Sequence, residues 1–277
     1  MKVLLLTSNS IQNMALSHML SKQHELVGIV YENRFSGESR LFNYLKKVNY
    51  NPLKIIEKLY QKYRLRYLES SLVTGINEGY GDYSSFYATS ILEVTNINQK
   101  ESVEFIKNTV HDIIIVSGTR MVKKEILSLR PEYGIINMHT GLSPYYNGGP
   151  SCTFWCLYNE DVEYIGATVM FIDEGIDSGN IILTDTISLN AGDSYGQMEF
   201  KAIDLGNHLI LKALEKLVAD KNFRGYKQND IASGHIYYNK DYTFSKRVVV
   251  QNKMKDGTIS KLITNKQFDK NIRKFTD

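Results

Sequence analysis

The chain has 277 residues, 43% of them hydrophobic and 23% charged, with a formal net charge of +3 at pH 7. That composition is ordinary for a folded, water-soluble protein. The length suits one large α/β domain with an appendage, or two small domains, and no apolar run approaches the ~20 residues of a membrane span. The N-terminal "MKVLLLTSNS" has an apolar stretch of only Val3 to Leu6 and no small-residue cleavage site after it. It is therefore not read as a signal peptide, and cytoplasmic residence without membrane attachment is expected. Charge is unevenly spread: Lys240 to Asp277 holds ten Lys or Arg against four Asp, net +6, and everything before it is net −3. The basic residues of this tail are scattered, which favours a solvated surface over a nucleic-acid footprint.

The first elements form a βαβ unit. "KVLLLT" (2–7) reads as a strand, Ile11, Met14, Leu16 and Leu20 mark one face of a helix, and "ELVGIVYE" reads as a second buried strand. Such a unit implies a parallel sheet. The loop Ser8, Asn9, Ser10 lies at the carboxyl end of the first strand, where open α/β sheets bind ligands. These three residues are candidate substrate contacts, offering hydroxyls, an amide and helix N-terminal N–H groups to an anion. The plainer alternative is that Ser10 only caps the helix. No Gly-x-Gly-x-x-Gly is present, so a dinucleotide fingerprint is lacking.

Residues 36–90 are helical in period. Leu41, Tyr44, Leu45, Ile55, Ile56, Leu59, Tyr60 and Tyr63 form the apolar stripe, and Asn51-Pro52 divides it into two helices. This stretch reads as an insertion between sheet strands, with a role in covering or extending a substrate pocket; simple packing is the alternative. The sheet then resumes. "SILEVTN" is a strand, "QKESVEFIKNT" a helix, "DIIIVSGT" a central strand, and Met121 to Leu129 a short helix. "GIINMH" is the next strand, and "PSCTFWCLYN" a helix with Pro150 in its first turn. "YIGATVMFID" and "NIILTDTISL" are strands. A long amphipathic helix follows, capped by Asp193 or Ser194. Alternation of this kind argues for a doubly wound, mostly parallel α/β domain over residues 1–222. Residues 223–277 read as a small extension of short strands and a terminal helix, with no second full core.

Cys152 and Cys156 share a helical face but lack further ligands at metal-site spacing, so they read as buried free thiols and no metal is expected. Ser143 and Ser151 lack a Gly-x-Ser-x-Gly context, which argues against a serine hydrolase. The informative polar groups lie elsewhere. Gly118 and Thr119 follow "DIIIV", Asn137 and His139 follow "GII", and Asp173 and Asp177 follow "ATVMFI". In a parallel sheet these ends would converge on one crevice.

"GIINMHTGLSPYYNGG" followed by "GATVMFIDEGIDSGNII" resembles the core of the folate-dependent formyltransferases, with Asn-x-His, a Leu-x-Pro turn and Asp-x-Gly-x-Asp-x-Gly in order. The resemblance runs over about 110–215 and weakly over 1–32. It implies a formyltransferase-like variant of the Rossmann fold, 10-formyltetrahydrofolate as cosubstrate, and N-formyltransferase activity. It assigns catalysis to Asn137, His139 and Asp177, with Asp173 as an alternative partner for the histidine. It further implies that Gly118, Thr119, Arg120, Met121 and Val122, with Asp173, Glu174 and Gly175, hold the pterin through backbone groups. Formyl transfer to an amine passes through a tetrahedral oxyanion, which an Asn amide and a protonated imidazole can stabilise. The attacking ammonium must shed a proton, which a His held by a carboxylate can take near neutral pH.

Two departures stand out: Gly141 replaces a common Ser, and Asn147 replaces a common Arg. The helix with Thr-Phe-Trp resembles the sugar-modifying branch, and only about 55 residues follow the long helix, fewer than the C-terminal barrel of a methionyl-tRNA enzyme needs. The expected acceptor is therefore a small soluble amine, foremost a nucleotide-linked amino sugar. The segment "IYYNKDYTF" (236–244) is placed to stack a base, with Lys240 near a diphosphate. Methionyl-tRNA and glycinamide ribonucleotide remain alternative acceptors, and a degenerate fold used as a binding module is the non-enzyme alternative. No nucleic-acid partner is expected, and a homodimer is left open.

Overall fold

The computed structural model describes residues 1–33, 46, 49–265 and 272–276. A seven-stranded sheet forms the centre, in the order β3-β2-β1-β4-β5-β7-β8. Its strands are β1 (Lys2–Ser8), β2 (Glu25–Glu32), β3 (Ile91–Val94), β4 (Ile113–Ser117), β5 (Ile135–His139), β7 (Gly166–Phe171) and β8 (Ile181–Thr186). The first five run parallel. β4 is buried along its whole length, as its unbroken Ile-Ile-Ile-Val run requires of a strand covered on both faces.

Helices cover the sheet on two sides, as the doubly wound reading expects. α1 (Ile11–Gln23) and α7 (Tyr195–Ala219) share one core with Leu5, Ile115, Ile136 and Val169. α4 (Lys100–Asn108) and α5 (Lys124–Leu127) close the opposite face over Leu4, Leu6, Ile114 and Ile135. α7 begins in a capping box, in which Ser194 and Gln197 satisfy each other's backbone N–H groups. Of the two expected caps, it is Ser194 that serves. Pro150, expected in the first turn, lies two residues before α6 (Cys152–Asn159), and Ser151 is the cap, accepting from the Phe154 N–H.

β7 departs from the expected direction. It runs antiparallel to β5, with Ile136 opposite Phe171 and His139 opposite Thr168. Its carboxyl end therefore lies beside the start of β5, and convergence at a common strand end cannot bring Asp173 and Asp177 to Asn137 and His139. The loop after β7 has to turn back to reach them.

The helical insertion also differs in part. Leu41, Tyr44 and Leu45 lie outside the described residues. α2 (Pro52–Arg64) is capped by the Asn51 side chain, and the break expected at Asn51-Pro52 is its start; Leu65 then separates it from α3 (Arg66–Tyr80). None of α2 is buried, and Ile56, Leu59, Tyr60 and Tyr63 are exposed. α3 packs on α7, where Tyr80 donates to Asp204 and accepts from Asn207. Within the described part of the insertion, α3 is thus a packing element for α7.

The C-terminal residues are bound into the main body. β6 (Tyr146–Gly148) pairs in parallel with β9 (His235–Tyr237). α8 (Phe244–Lys255) and α9 (Thr258–Asn265) share a third core with α6, built on Phe154, Trp155, Val250, Ile259 and Ile263.

Candidate active site

β5 alternates its side chains, as a strand must. Ile136 and Met138 enter the core shared with α7, so Asn137 and His139 project to the other face. The loop after β7 arrives on that same face. It closes at its base, where the Phe171 N–H donates to the Asn180 carbonyl and the Ile172 N–H to the Ile135 carbonyl. Asp173 is consumed in shaping it, accepting from the Gly175 N–H at 2.9 Å and the Ser178 hydroxyl at 2.7 Å. Asp177 adopts a left-handed backbone, φ 48°, which is uncommon for a residue with a side chain but most tolerable for Asn and Asp.

Asp177 is the hub. Its Oδ1 accepts from Asn137 Nδ2 at 3.2 Å, and its Oδ2 accepts from the Gly148 N–H at 2.9 Å and faces His139 Nδ1 at 3.4 Å. Of the two aspartates considered as partner for the histidine, this geometry selects Asp177. The other ring nitrogen, Nε2, lies 3.0 Å from the Tyr146 carbonyl oxygen and 3.3 Å from Cys152 Sγ. Both nitrogens therefore face acceptors, which suits the doubly protonated ring. Burial alone would depress the imidazole, but the Asp177 carboxylate, the Cys152 sulfur and the Tyr146 carbonyl outweigh it and push the pKa up to about 10.

The absence of a side chain at residue 141 has a steric cause. A Cβ on Gly141 would overlap His139 Nε2 and stand 2.6 Å from the Tyr146 oxygen and 2.7 Å from Cys152 Sγ. The space a side chain would occupy is filled here by the His139 ring, the Tyr146 carbonyl and Cys152 together. Both cysteines are free and buried, and among the described residues no cluster of His, Cys, Asp or Glu is arranged to hold a metal.

A cavity of about 300 Å³ adjoins this cluster, at the small end of the range for organic ligands. Its walls are the 118–122 loop, Asn137, Gly148 and Gly149, the 170–173 and 175–179 segments, and Tyr237 to Asn239. Asn137 and Asp177 reach the wall, whereas His139 lies behind them. Gly118, Thr119, Arg120, Met121, Val122, Asp173 and Gly175 all line it. Glu174 does not, and faces a separate depression beside Leu127 and Pro131. Ser8, Asn9 and Ser10 are also outside the lining. Ser8 Oγ accepts from Asn13, Asn9 is exposed, and Ser10 holds the cap position of α1 with its hydroxyl buried and unpaired. The plain capping role considered for the Ser10 side chain is not seen either.

Several supporting residues had no sequence pattern to announce them. Glu32, buried at the end of β2, accepts from the Arg120 and Ile97 N–H groups and pairs with the Arg120 guanidinium at 3.8 Å. Asn98 donates to the Met121 carbonyl and accepts from the Lys123 N–H. Together they fix the 118–122 loop. Tyr237 is stacked on Tyr146 and Trp155, with centroids 5.5 and 4.5 Å away, so its ring is already occupied. Tyr238, 45% exposed, stands at the cavity edge. Lys240 sits over the Tyr238 ring, outside the cavity lining.

The family model described as formyl transferase matches residues 55–214. The protein belongs to the formyl transferase family. That match begins inside α2, so most of the described insertion falls within the family's extent. Among curated formyl transferase relatives, methionyl-tRNA formyltransferase of Clostridium tetani is 34% identical over 134 residues, covering 48% of this chain and 42% of the relative. The corresponding protein of Syntrophomonas wolfei is 31% identical over 145 residues, covering 52% of this chain and 45% of the relative. The chain thus spans less than half the length of these relatives. Solved structures share the fold at low identity. The 4-N formyltransferase of Francisella tularensis has a TM-score of 0.55 at 15% identity, covering 99% of this chain and 95% of that one. The N-formyltransferase of Helicobacter canadensis, in complex with folinic acid and dTDP-3-aminofucose, has a TM-score of 0.55 at 17% identity, covering 90% and 79%. Phosphoribosylglycinamide formyltransferase of Bacillus halodurans has a TM-score of 0.52 at 18% identity, covering 80% and 97%.

Proposed function

We propose that this protein transfers the formyl group of 10-formyltetrahydrofolate to the amine of a small acceptor, foremost a nucleotide-linked amino sugar. The observation that carries the reading is Asp177, which joins Asn137 and His139 into one hydrogen-bonded cluster against a cavity of about 300 Å³. The folate ring would lie against the 118–122 and 173–179 loops. The neutral acceptor amine attacks the formyl carbon, the oxygen gains negative charge, and the bond from carbon to the folate nitrogen then breaks. That nitrogen leaves with a proton, giving tetrahydrofolate and the formamide.

Each residue has a part in this sequence. The Asn137 amide stands on the cavity wall as donor to the oxyanion. Such a donor contributes about 3–4 kcal/mol where it meets developing charge. Asp177, beside it, accepts the proton that the amine nitrogen sheds once its bond to the formyl carbon has formed, and that proton is returned to the departing folate nitrogen. His139, cationic at neutral pH, supplies positive charge behind both. To donate directly, its ring must exchange a contact to Asp177 or to Tyr146. Ser8, Asn9 and Ser10 have no direct part in the chemistry proposed, and Glu174 has none in pterin binding.

Tyr238 supports a nucleotide on the acceptor, since an exposed ring at the cavity edge offers a stacking face. Reading methionyl-tRNA as the acceptor rests on the curated relatives and keeps the same cluster. One assay separates them. The protein is given 10-formyltetrahydrofolate with a panel of nucleotide amino sugars, with glycinamide ribonucleotide, or with methionyl-tRNA, and tetrahydrofolate release is followed. Acceptor-dependent release with a sugar supports the proposal; release with tRNA alone replaces the acceptor, and no release with any amine removes the activity.

A further inference from the structure

Gln228 lies in a turn of the C-terminal segment, 51 residues after Asp177, and is 7% exposed. Every hydrogen-bonding group of its amide is used. Nε2 donates to the Asp177 carbonyl at 2.7 Å and to the Gly179 carbonyl at 2.8 Å. Its Oε1 accepts from Asn147 Nδ2 at 3.3 Å. Asn147 directly precedes Gly148, whose N–H holds the Asp177 carboxylate. One side chain therefore grips the backbone on both sides of Ser178 and also the strand that fixes the Asp177 side chain.

The segment bearing Gln228 is itself fastened at both ends. Tyr226 and Ile181 exchange backbone hydrogen bonds of 2.7 and 2.9 Å on one side. On the other, β9 pairs with β6. What it steadies needs an external hold, because the left-handed backbone of Asp177 costs about 1 kcal/mol or more outside glycine. Left alone, the loop would relax toward an ordinary backbone and swing the carboxylate away from His139.

We propose that Gln228 is a positioning residue, which fixes the Asp177 carboxylate against His139 and Asn137 and makes the C-terminal segment a working part of the site. The inference rests on formyl transfer only for its kinetic readout. Replacement of the Asn147–Gln228 link or of the two carbonyl contacts would loosen Asp177 without touching folate or acceptor.

The test uses Gln228→Leu and Gln228→Glu in the full chain. In Gln228→Leu, kcat should fall by about 10- to 100-fold, the loss typical of a misplacement near 1 Å, with KM for the folate little changed. The His139 ring, titrated by NMR without substrates, should move down toward its ordinary value of about 6.5. A loss of thermal stability alone would leave that titration in place. Gln228→Glu keeps the side-chain length. Its neutral acid can donate to one carbonyl and its ionised form to neither, so its rate relative to the parent should drop as pH rises. The proposal is overturned if folded variants show an unmoved His139 titration and a rate ratio independent of pH. Because the titration needs no substrate, its outcome bears on Gln228 whichever reaction the protein performs.

Discussion

Asp177 Oδ2 lies 3.4 Å from His139 Nδ1, although His139 ends β5 and Asp177 stands in the loop that follows the antiparallel β7. This pair sets the charge of the site. His139 is 8% exposed, and without its carboxylate the buried cation would be costly.

Stability should therefore depend on pH through this histidine. The folded pKa of His139 is raised to about 10, against about 6.5 unfolded. Its contribution is complete below about pH 6.5 and is lost as pH rises toward 10. Thermal unfolding should show a declining midpoint across that interval. In Asp177→Asn the countercharge is gone and burial should depress the imidazole instead. The His139 contribution would then reverse in slope, with stability lost on acidification below about pH 6.5. Equal slopes in the two proteins would show that the pair does not govern the titration.

Asn137→Ala should lower kcat by about 10²–10³, the range for removal of an oxyanion donor. His139→Asn should cost at least as much, and is a better replacement than alanine because it fills more of the buried space beside Cys152. Single-turnover rates with pre-bound folate measure both. A variant of Asn137 with parental kcat and raised KM would make the amide a binding group only.

Tyr238→Ala should raise KM for a nucleotide-bearing acceptor and leave kcat nearly intact. Loss of a base–aromatic stack is worth about 1–3 kcal/mol, and the upper half of that range exceeds tenfold in KM. KM for the folate should hold. An unchanged acceptor KM would place the nucleotide elsewhere or remove it from the acceptor.

Gly75→Ala tests the insertion as a packing element. A Cβ at Gly75 would run into the Gly196 carbonyl group, where α3 crosses the first turn of α7. Overpacking of this kind costs about 1–3 kcal/mol, and at about 2–4 °C per kcal/mol the unfolding midpoint should fall by several degrees. Turnover below that midpoint should persist, since neither α2 nor α3 lines the cavity. Loss of turnover at full stability would return the insertion to a role in the pocket.

The strands up to β5 and the long capped helix were legible in the sequence, because local periods of 2 and 3.6 record them, and so was the place of Asn137 and His139 at the end of a strand. The direction of β7 was not. "GATVMF" reads the same whichever way it pairs, and its neighbours decide the matter. The stripe on α2 was legible as a pattern, but a pattern does not say that Ile56, Leu59, Tyr60 and Tyr63 stay exposed. Gln228 was invisible for another reason. A glutamine in a turn carries no spacing signal, and its partners lie 49, 51 and 81 residues earlier.

The reversed direction of β7 makes the loop after it sensitive to its internal turn. Phe171 pairs with Ile136 and His139 lies three positions further along β5, about 10 Å away at the rise of a strand. Residues 172–176 must cover that distance backwards while keeping Asp173 in its turn. Most surface loops absorb a deletion, whereas loss of one residue here would undo the turn of Asp173 onto the Gly175 N–H and the Ser178 hydroxyl, and with it the placing of the acid beside the imidazole, while leaving the sheet whole.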